Sequence, residues 1–248
     1  RMAQPKRILF VASEVAPFVT RTDLSATVAV LPVALHEANG ADVRSTVPRY
    51  GTVSERRHGL RDVIRLSGTE VPLGEAVEPL DVKVASLPDT RLQVYFMDHD
   101  GFFGRDAVAT DEAGTAFEDN PMRALFFARA ALETFRKLRW APDVVHAFGW
   151  AAGLVPALLT STYDDGPVLG DAAVVFTPDL DDPGPTLDDA FGQAASLPGS
   201  LLGDLAGGTL NAAGRARAHA TVLAPEADDD AEMRLGATLA PLDRRTRD

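Results

Sequence analysis

The chain has 248 residues, 24 of them Lys or Arg and 36 Asp or Glu, which leaves a formal net charge of −12. That balance argues against a nucleic-acid partner, whose phosphates demand clustered cations. The absence of cysteine excludes disulfides, zinc–thiolate sites, iron–sulfur clusters and thiol nucleophiles. With 46% hydrophobic residues, a chain this long supports one large core or two small ones.

The acid excess is mostly Asp, 25 against 11 Glu, and the cations are 21 Arg against 3 Lys, a surface that favours solubility. No stretch approaches the roughly 20 apolar residues of a membrane helix, and Lys6-Arg7 passes straight into a strand-like run with no signal-peptide pattern. A cytoplasmic protein without a membrane partner is the expectation.

Ile8-Leu9-Phe10-Val11-Ala12 is a continuous apolar run, as in a parallel strand buried on both faces. Leu24, Val28, Leu31 and Leu35 recur at helical spacing, with Asp23 or Ser25 as N-cap and Asn39-Gly40 as the stop. A second strand over 42–47, closed by Pro48, completes a βαβ unit. Runs 80–87 and 92–97 flank the turn Pro88-Asp89-Thr90 and predict a hairpin. Residues 98–119 read as a long surface loop.

Residues 121–138 form the clearest helix, with Leu125, Phe126, Ala130, Leu132, Phe135 and Leu138 on a wide apolar face. A strand over 143–147, a helix over 151–159, a strand over 172–177, a helix over 210–218 and a strand over 220–223 complete the pattern. The segment 179–200, rich in Asp and Pro, predicts loop or short helices, and the charged tail from Glu226 a frayed terminus. The alternation implies an α/β fold, Rossmann-like and doubly wound, with an open, mostly parallel sheet.

No P-loop, Gly-x-Gly-x-x-Gly, Gly-x-Ser-x-Gly or His-Glu-x-x-His motif occurs. Position remains as a guide, because ligands of open parallel sheets sit at the carboxyl ends of the strands. Those ends carry Ser13-Glu14, Pro48-Arg49-Tyr50, Asp98-His99, His146-Ala147-Phe148 and Thr177-Pro178-Asp179. Glu14, Asp98 and His146 are therefore ligand candidates. Each has a structural alternative: Glu14 as a helix cap, Asp98 as a turn residue, His146 as a satisfied core histidine. Phe102, Phe103, Phe126 and Phe127 read as core before sugar-stacking, and the Asp pairs as solvated surface before a divalent-metal site.

The segment Lys6-Arg7-Ile8-Leu9-Phe10-Val11-Ala12-Ser13-Glu14-Val15-Ala16-Pro17-Phe18 resembles the opening of bacterial glycogen synthases and plant starch synthases. Further blocks keep the family's order: Pro48-Arg49-Tyr50, then Val94-Tyr95-Phe96-Met97-Asp98 with Gly101-Phe102-Phe103. Asp119-Asn120 and Pro142-Asp143-Val144-Val145-His146-Ala147 with Trp150 continue it, and Val175-Phe176-Thr177 and weaker matches carry it to about residue 232. The resemblance implies the N-terminal, acceptor-side lobe of a two-lobe retaining glucosyltransferase acting on ADP-glucose or UDP-glucose and an α-1,4-glucan. It divides the chain into a domain over 1–232 and a charged tail over 233–248, without a counterpart of the second lobe.

The departures fall on the donor side. Where the family has Lys-Thr-Gly-Gly this sequence has Thr20-Arg21-Thr22-Asp23, and where the family has Asp-Trp-His it has Gly149-Trp150-Ala151. The family's Thr-x-His-Asn reads Thr177-Pro178-Asp179-Leu180. Glycine allows close backbone approach to phosphates, and Asp adds repulsion. The resemblance thus implies a relative with no intact catalytic set, no cofactor and no metal. Glu14, Asp98, His146, Trp150 and Thr177 match the family as ligand-binding candidates, with Arg21 as a replacement cation. The expected partners are ADP-glucose or an α-glucan, held weakly, and a second copy or another protein over the cleft face. The alternative is an active ADP-glucose-dependent glucosyltransferase completed by another chain.

Overall fold

The computed structural model describes residues 5–224. The tail 233–248, the end of the predicted domain and the acidic run 228–230 lie outside the described residues.

The first strand, β1 (Arg7–Ala12), is buried along nearly its whole length, as its unbroken apolar run requires. Helix α1 (Leu24–Asn39) comes next and stops at Gly40, whose left-handed backbone (φ +65°) is available to glycine at little cost. Strand β2 (Asp42–Pro48) lies parallel to β1, with Ile8 opposite Val43 and Val11 opposite Thr46. The chain then makes α2 (Glu55–His58), β3 (Arg61–Asp62), β4 (Thr69–Leu73), β5 (Ala76–Ser86) and β6 (Gln93–Asp98). The predicted hairpin is β5 and β6, paired antiparallel with Val82 opposite Met97. β3 and β4 are strands that the sequence pattern does not announce: two residues and five residues respectively, each with β5 as its one strand partner among the described residues.

After α3 (Asp100–Phe103) comes α4 (Asn120–Leu138), then β7 (Val144–Phe148), α5 (Val155–Leu159) and β8 (Ala173–Thr177). The chain closes with α6 (Asp189–Ala195), α7 (Gly199–Leu205), α8 (Leu210–Arg217) and β9 (Ala220–Thr221). The sheet runs β3-β5-β6-β2-β1-β7-β8-β9, with β4 beside β5, and every pairing from β6 to β9 is parallel. It is the expected open, Rossmann-like sheet with flanking helices, carrying an antiparallel edge.

Two expectations need correction. The helix expected from residue 151 begins at Val155, because Trp150–Ala152 form a tight 3-10 turn and Pro156 suits only the first turn of a helix. The region 98–119 is not free surface. Arg123 of α4 is buried, and its guanidinium donates to the carbonyls of Phe102 (2.6 Å) and Val108 (2.7 Å) and to Asn120 Oδ1 (2.6 Å). Arg105 adds a two-pronged pair with Asp119 at 2.7 and 2.6 Å.

Helix α8 packs against β8 through Gly214, where a Cβ would meet the Phe176 ring at 2.6 Å. Gly203 of α7 faces open space. Gly214→Ala is therefore expected to lower unfolding free energy by about 1–3 kcal/mol, the usual cost of overpacking. Gly203→Ala should raise it by up to about 1 kcal/mol through helix propensity. Urea unfolding of the two variants checks the opposite signs.

Candidate functional site

The register sets the carboxyl ends of the central strands side by side, Ala12 opposite Phe148 and Phe148 opposite Thr177. Ser13 stitches β1 to β7: its hydroxyl donates to the Phe148 carbonyl (3.2 Å) and accepts from the Ala151 N–H (2.9 Å). Gly149 makes room for it, since a Cβ there would stand 2.6 Å from Ser13 Oγ.

Glu14, one residue on, is only 2% exposed. A buried carboxylate needs donors, and the loop after β1 supplies them. The Arg21 N–H donates to Oε2 at 2.7 Å and the Thr22 N–H to Oε1 at 3.1 Å, while the Thr22 hydroxyl makes a short contact with Oε1. On its other side the same hydroxyl lies 3.0 Å from Asp179 Oδ2. Asp179, just past β8, is 5% exposed. Its Oδ1 accepts from the N–H groups of Asp181 (3.0 Å) and Asp182 (3.3 Å).

Both carboxyls are held above the ordinary range. For Glu14 and for Asp179 the main cause is burial, partly opposed by the hydrogen bonds just named; Asp179 raises Glu14 further, and Asp182 raises Asp179.

Segment 179–184 closes over this pair. Arg21 Nη1 reaches Asp182 Oδ2 at 3.1 Å, and Asp182 Oδ1 accepts from the Gly184 N–H at 3.1 Å. From α8, Asn211 Nδ2 donates to the carbonyls of Asp179 (2.6 Å) and Asp182 (3.2 Å). Gly184 packs so tightly on Trp150 that a Cβ would stand 2.4 Å from the tryptophan's own. Beneath lie buried polar atoms with no protein partner: the Tyr50 hydroxyl, Trp150 Nε1 and Asn211 Oδ1.

Of the six candidates, the structure brings Glu14 and Arg21 together through the loop backbone, with Trp150 under the same segment. His146 and Thr177 form a separate, deeper pair, Nε2 to Oγ1 at 2.8 Å. The His146 ring stacks on Phe148 at 3.8 Å and meets Phe10 edge-on at 5.5 Å, and no part of it is exposed. Asp98 stands apart, 2.8 Å from Arg49 Nε and 3.7 Å from Lys83 Nζ. The sequence reading did not single out Thr22 or Asn211, and it named Asp179 at a strand end, opening a segment of loop or short helices, without making it a candidate. Its place directly after an apolar parallel strand was the available signal. Among the described residues no three His, Asp or Glu side chains are placed to hold a metal ion.

Burial pushes the His146 ring down to about 3, so it is neutral at any physiological pH. In the unfolded chain it protonates near its ordinary value of about 6.5. Its contribution is therefore complete above that pH and lost as pH falls toward 3, by up to about 1.4 kcal/mol per pH unit. Urea unfolding of the parent and of His146→Gln between pH 7 and 5 should show the parent losing stability faster on acidification. Parallel pH profiles would mean that the ring is charged in the folded protein.

A family model described as the starch synthase catalytic domain matches residues 7–178. The glycogen synthase of Chlorobium luteolum is 40% identical over 160 residues, 64% of this chain and 32% of that protein. That of Chlorobium limicola is 38% identical over 172 residues, 69% of this chain and 35% of that protein. The match thus spans about a third of the length of these relatives. The catalytic domain of starch synthase IV from Arabidopsis thaliana, solved bound to ADP and acarbose, superimposes with a TM-score of 0.73. It covers 96% of this chain and 50% of that one at 20% identity, a likeness of fold. With the family model matched over residues 7–178, strand ends included, the chain belongs to the starch synthase catalytic domain family.

Proposed function

We propose that this chain is a non-transferring member of its family, a pseudoenzyme lobe that takes a neutral α-glucan at its strand ends and does not hold a nucleotide sugar. The observation that carries this reading is the use of the loop's own amides. The N–H groups of Arg21 and Thr22, in the loop that stands where the family has Lys-Thr-Gly-Gly, donate to the Glu14 carboxylate.

An anion site filled by the internal Glu14–Asp179 pair, which keeps a negative charge, repels a diphosphate at close range. The Arg21 guanidinium is engaged by Asp182 and does not stand free to compensate. The same carboxyls, with the Tyr50 hydroxyl, Trp150 Nε1 and Asn211 Oδ1, suit the hydroxyls of an uncharged sugar, which both donate and accept. The second reading, an ADP-glucose-dependent α-1,4-glucan glucosyltransferase completed by another chain, is favoured by the family membership and by the ADP found with the Arabidopsis relative.

Thermal unfolding with maltoheptaose, ADP and ADP-glucose separates the two. A ligand at about 100 times its Kd adds roughly 2.7 kcal/mol, or several degrees for a domain of this size. Maltoheptaose is expected to give that rise, ADP and ADP-glucose none, and radiolabelled glucose should not pass from ADP-glucose to glycogen. In Glu14→Ala, which releases both amides, ADP is expected to gain a rise. A rise with ADP-glucose in the parent protein, or label in glycogen, would establish the transferase reading.

A further inference from the structure

The Thr22 hydroxyl carries one proton and lies within hydrogen-bond distance of a carboxyl oxygen on each side, Glu14 Oε1 and Asp179 Oδ2. It can donate to only one of them. The second contact is a hydrogen bond only when the other carboxyl brings its own proton and donates to Thr22 Oγ1. With both carboxyls ionised, that contact sets two oxygen lone pairs against each other between two buried charges, each shielded from water.

We propose that residues 179–184 are a strap latched over the strand ends by one proton shared between Glu14 and Asp179 through Thr22, and that loss of this proton releases the strap. Its closed form covers Trp150 through Gly184 and holds Asn211 on its carbonyls, so the polar atoms proposed to meet sugar are hidden while the latch is made. The regulatory meaning rests on reading the strand ends as the glucan face; the latch itself does not.

The charged and titratable groups around the pair are few. Arg21 is tied to Asp182, Tyr50 is a buried phenol that burial keeps neutral, and Arg123 lies beyond Tyr50. From α8 the strap meets Asn211, an uncharged amide. Both carboxyls are raised above their ordinary values by burial, in keeping with a retained proton. The closed strap binds the proton more tightly than the open one. Closure is therefore complete at low pH and lost as pH rises through the raised value.

Asp179→Asn tests this, because its amide reproduces the protonated pair at every pH. Nδ2 donates to Thr22 Oγ1, Thr22 donates to Glu14, and Oδ1 keeps the N–H groups of Asp181 and Asp182. Hydrogen exchange of the 181, 182 and 184 amides, corrected for intrinsic rates, reads the strap without any sugar, so its outcome is independent of glucan binding. In the parent, protection is expected to fall by up to about tenfold per pH unit above the titration, one proton per opening. Asp179→Asn should stay protected across the range, Thr22→Val should be unprotected throughout, and Thr22→Ser should restore the parent profile. Acrylamide quenching of Trp150 in a Trp140→Phe background should rise with pH in step. Parent protection that does not change with pH, or an Asp179→Asn profile that tracks the parent's, would overturn the latch.

Discussion

A buried carboxylate has to be surrounded by donors, and Glu14 imposes that condition on the end of the sheet where open parallel folds take their ligands. Its oxygens fix the loop after β1, with the Arg21 and Thr22 amides turned toward it. The loop in turn places the Thr22 hydroxyl and the Arg21 guanidinium where segment 179–184 meets them, so a residue at the end of the first strand governs the path of the chain beyond β8. The cost of leaving such a group unpaired is several times that of an ordinary lost hydrogen bond. That cost explains why the loop turns its backbone N–H groups and the Thr22 hydroxyl toward Glu14.

The departures that the sequence resemblance sets out fall on the loop after β1 and the turn after β8, while the strand framework is regular. Ser13, Gly149 and the parallel register hold the strand ends in place, while Thr22 and Asp179 occupy the positions where the resemblance sets a glycine and a histidine. These two substitutions are complementary, since each side chain is the other's partner.

Much of the fold was legible because periodicity is a local property. The buried runs of β1, β7 and β8, the wide apolar face of α4 and the stop at Gly40 arise from residues a few positions apart. β3 and β4 were not legible, because they are short and, among the described residues, pair with no strand but β5. The anchoring of 98–119 was hidden as well, for nothing local tells a buried arginine from an exposed one on a helix face. The site was legible only in part. Strand-end position pointed to Glu14 and His146, but the Thr22–Asp179 contact joins residues 157 apart in sequence, and only the closed sheet brings them together. His146, the strand-end histidine candidate, lies in the core against Phe10 and Phe148, with Nε2 on Thr177 Oγ1 and its buried Nδ1 without a protein partner.

The sheet's outermost strands, β3 and β9, are each two residues long within the described chain. Unpaired backbone at a sheet margin is a template for adding another chain's strand, and a margin of two residues offers too few N–H and C=O groups to recruit one. Among the described strands the longer margin is β4, five residues paired on one side with β5.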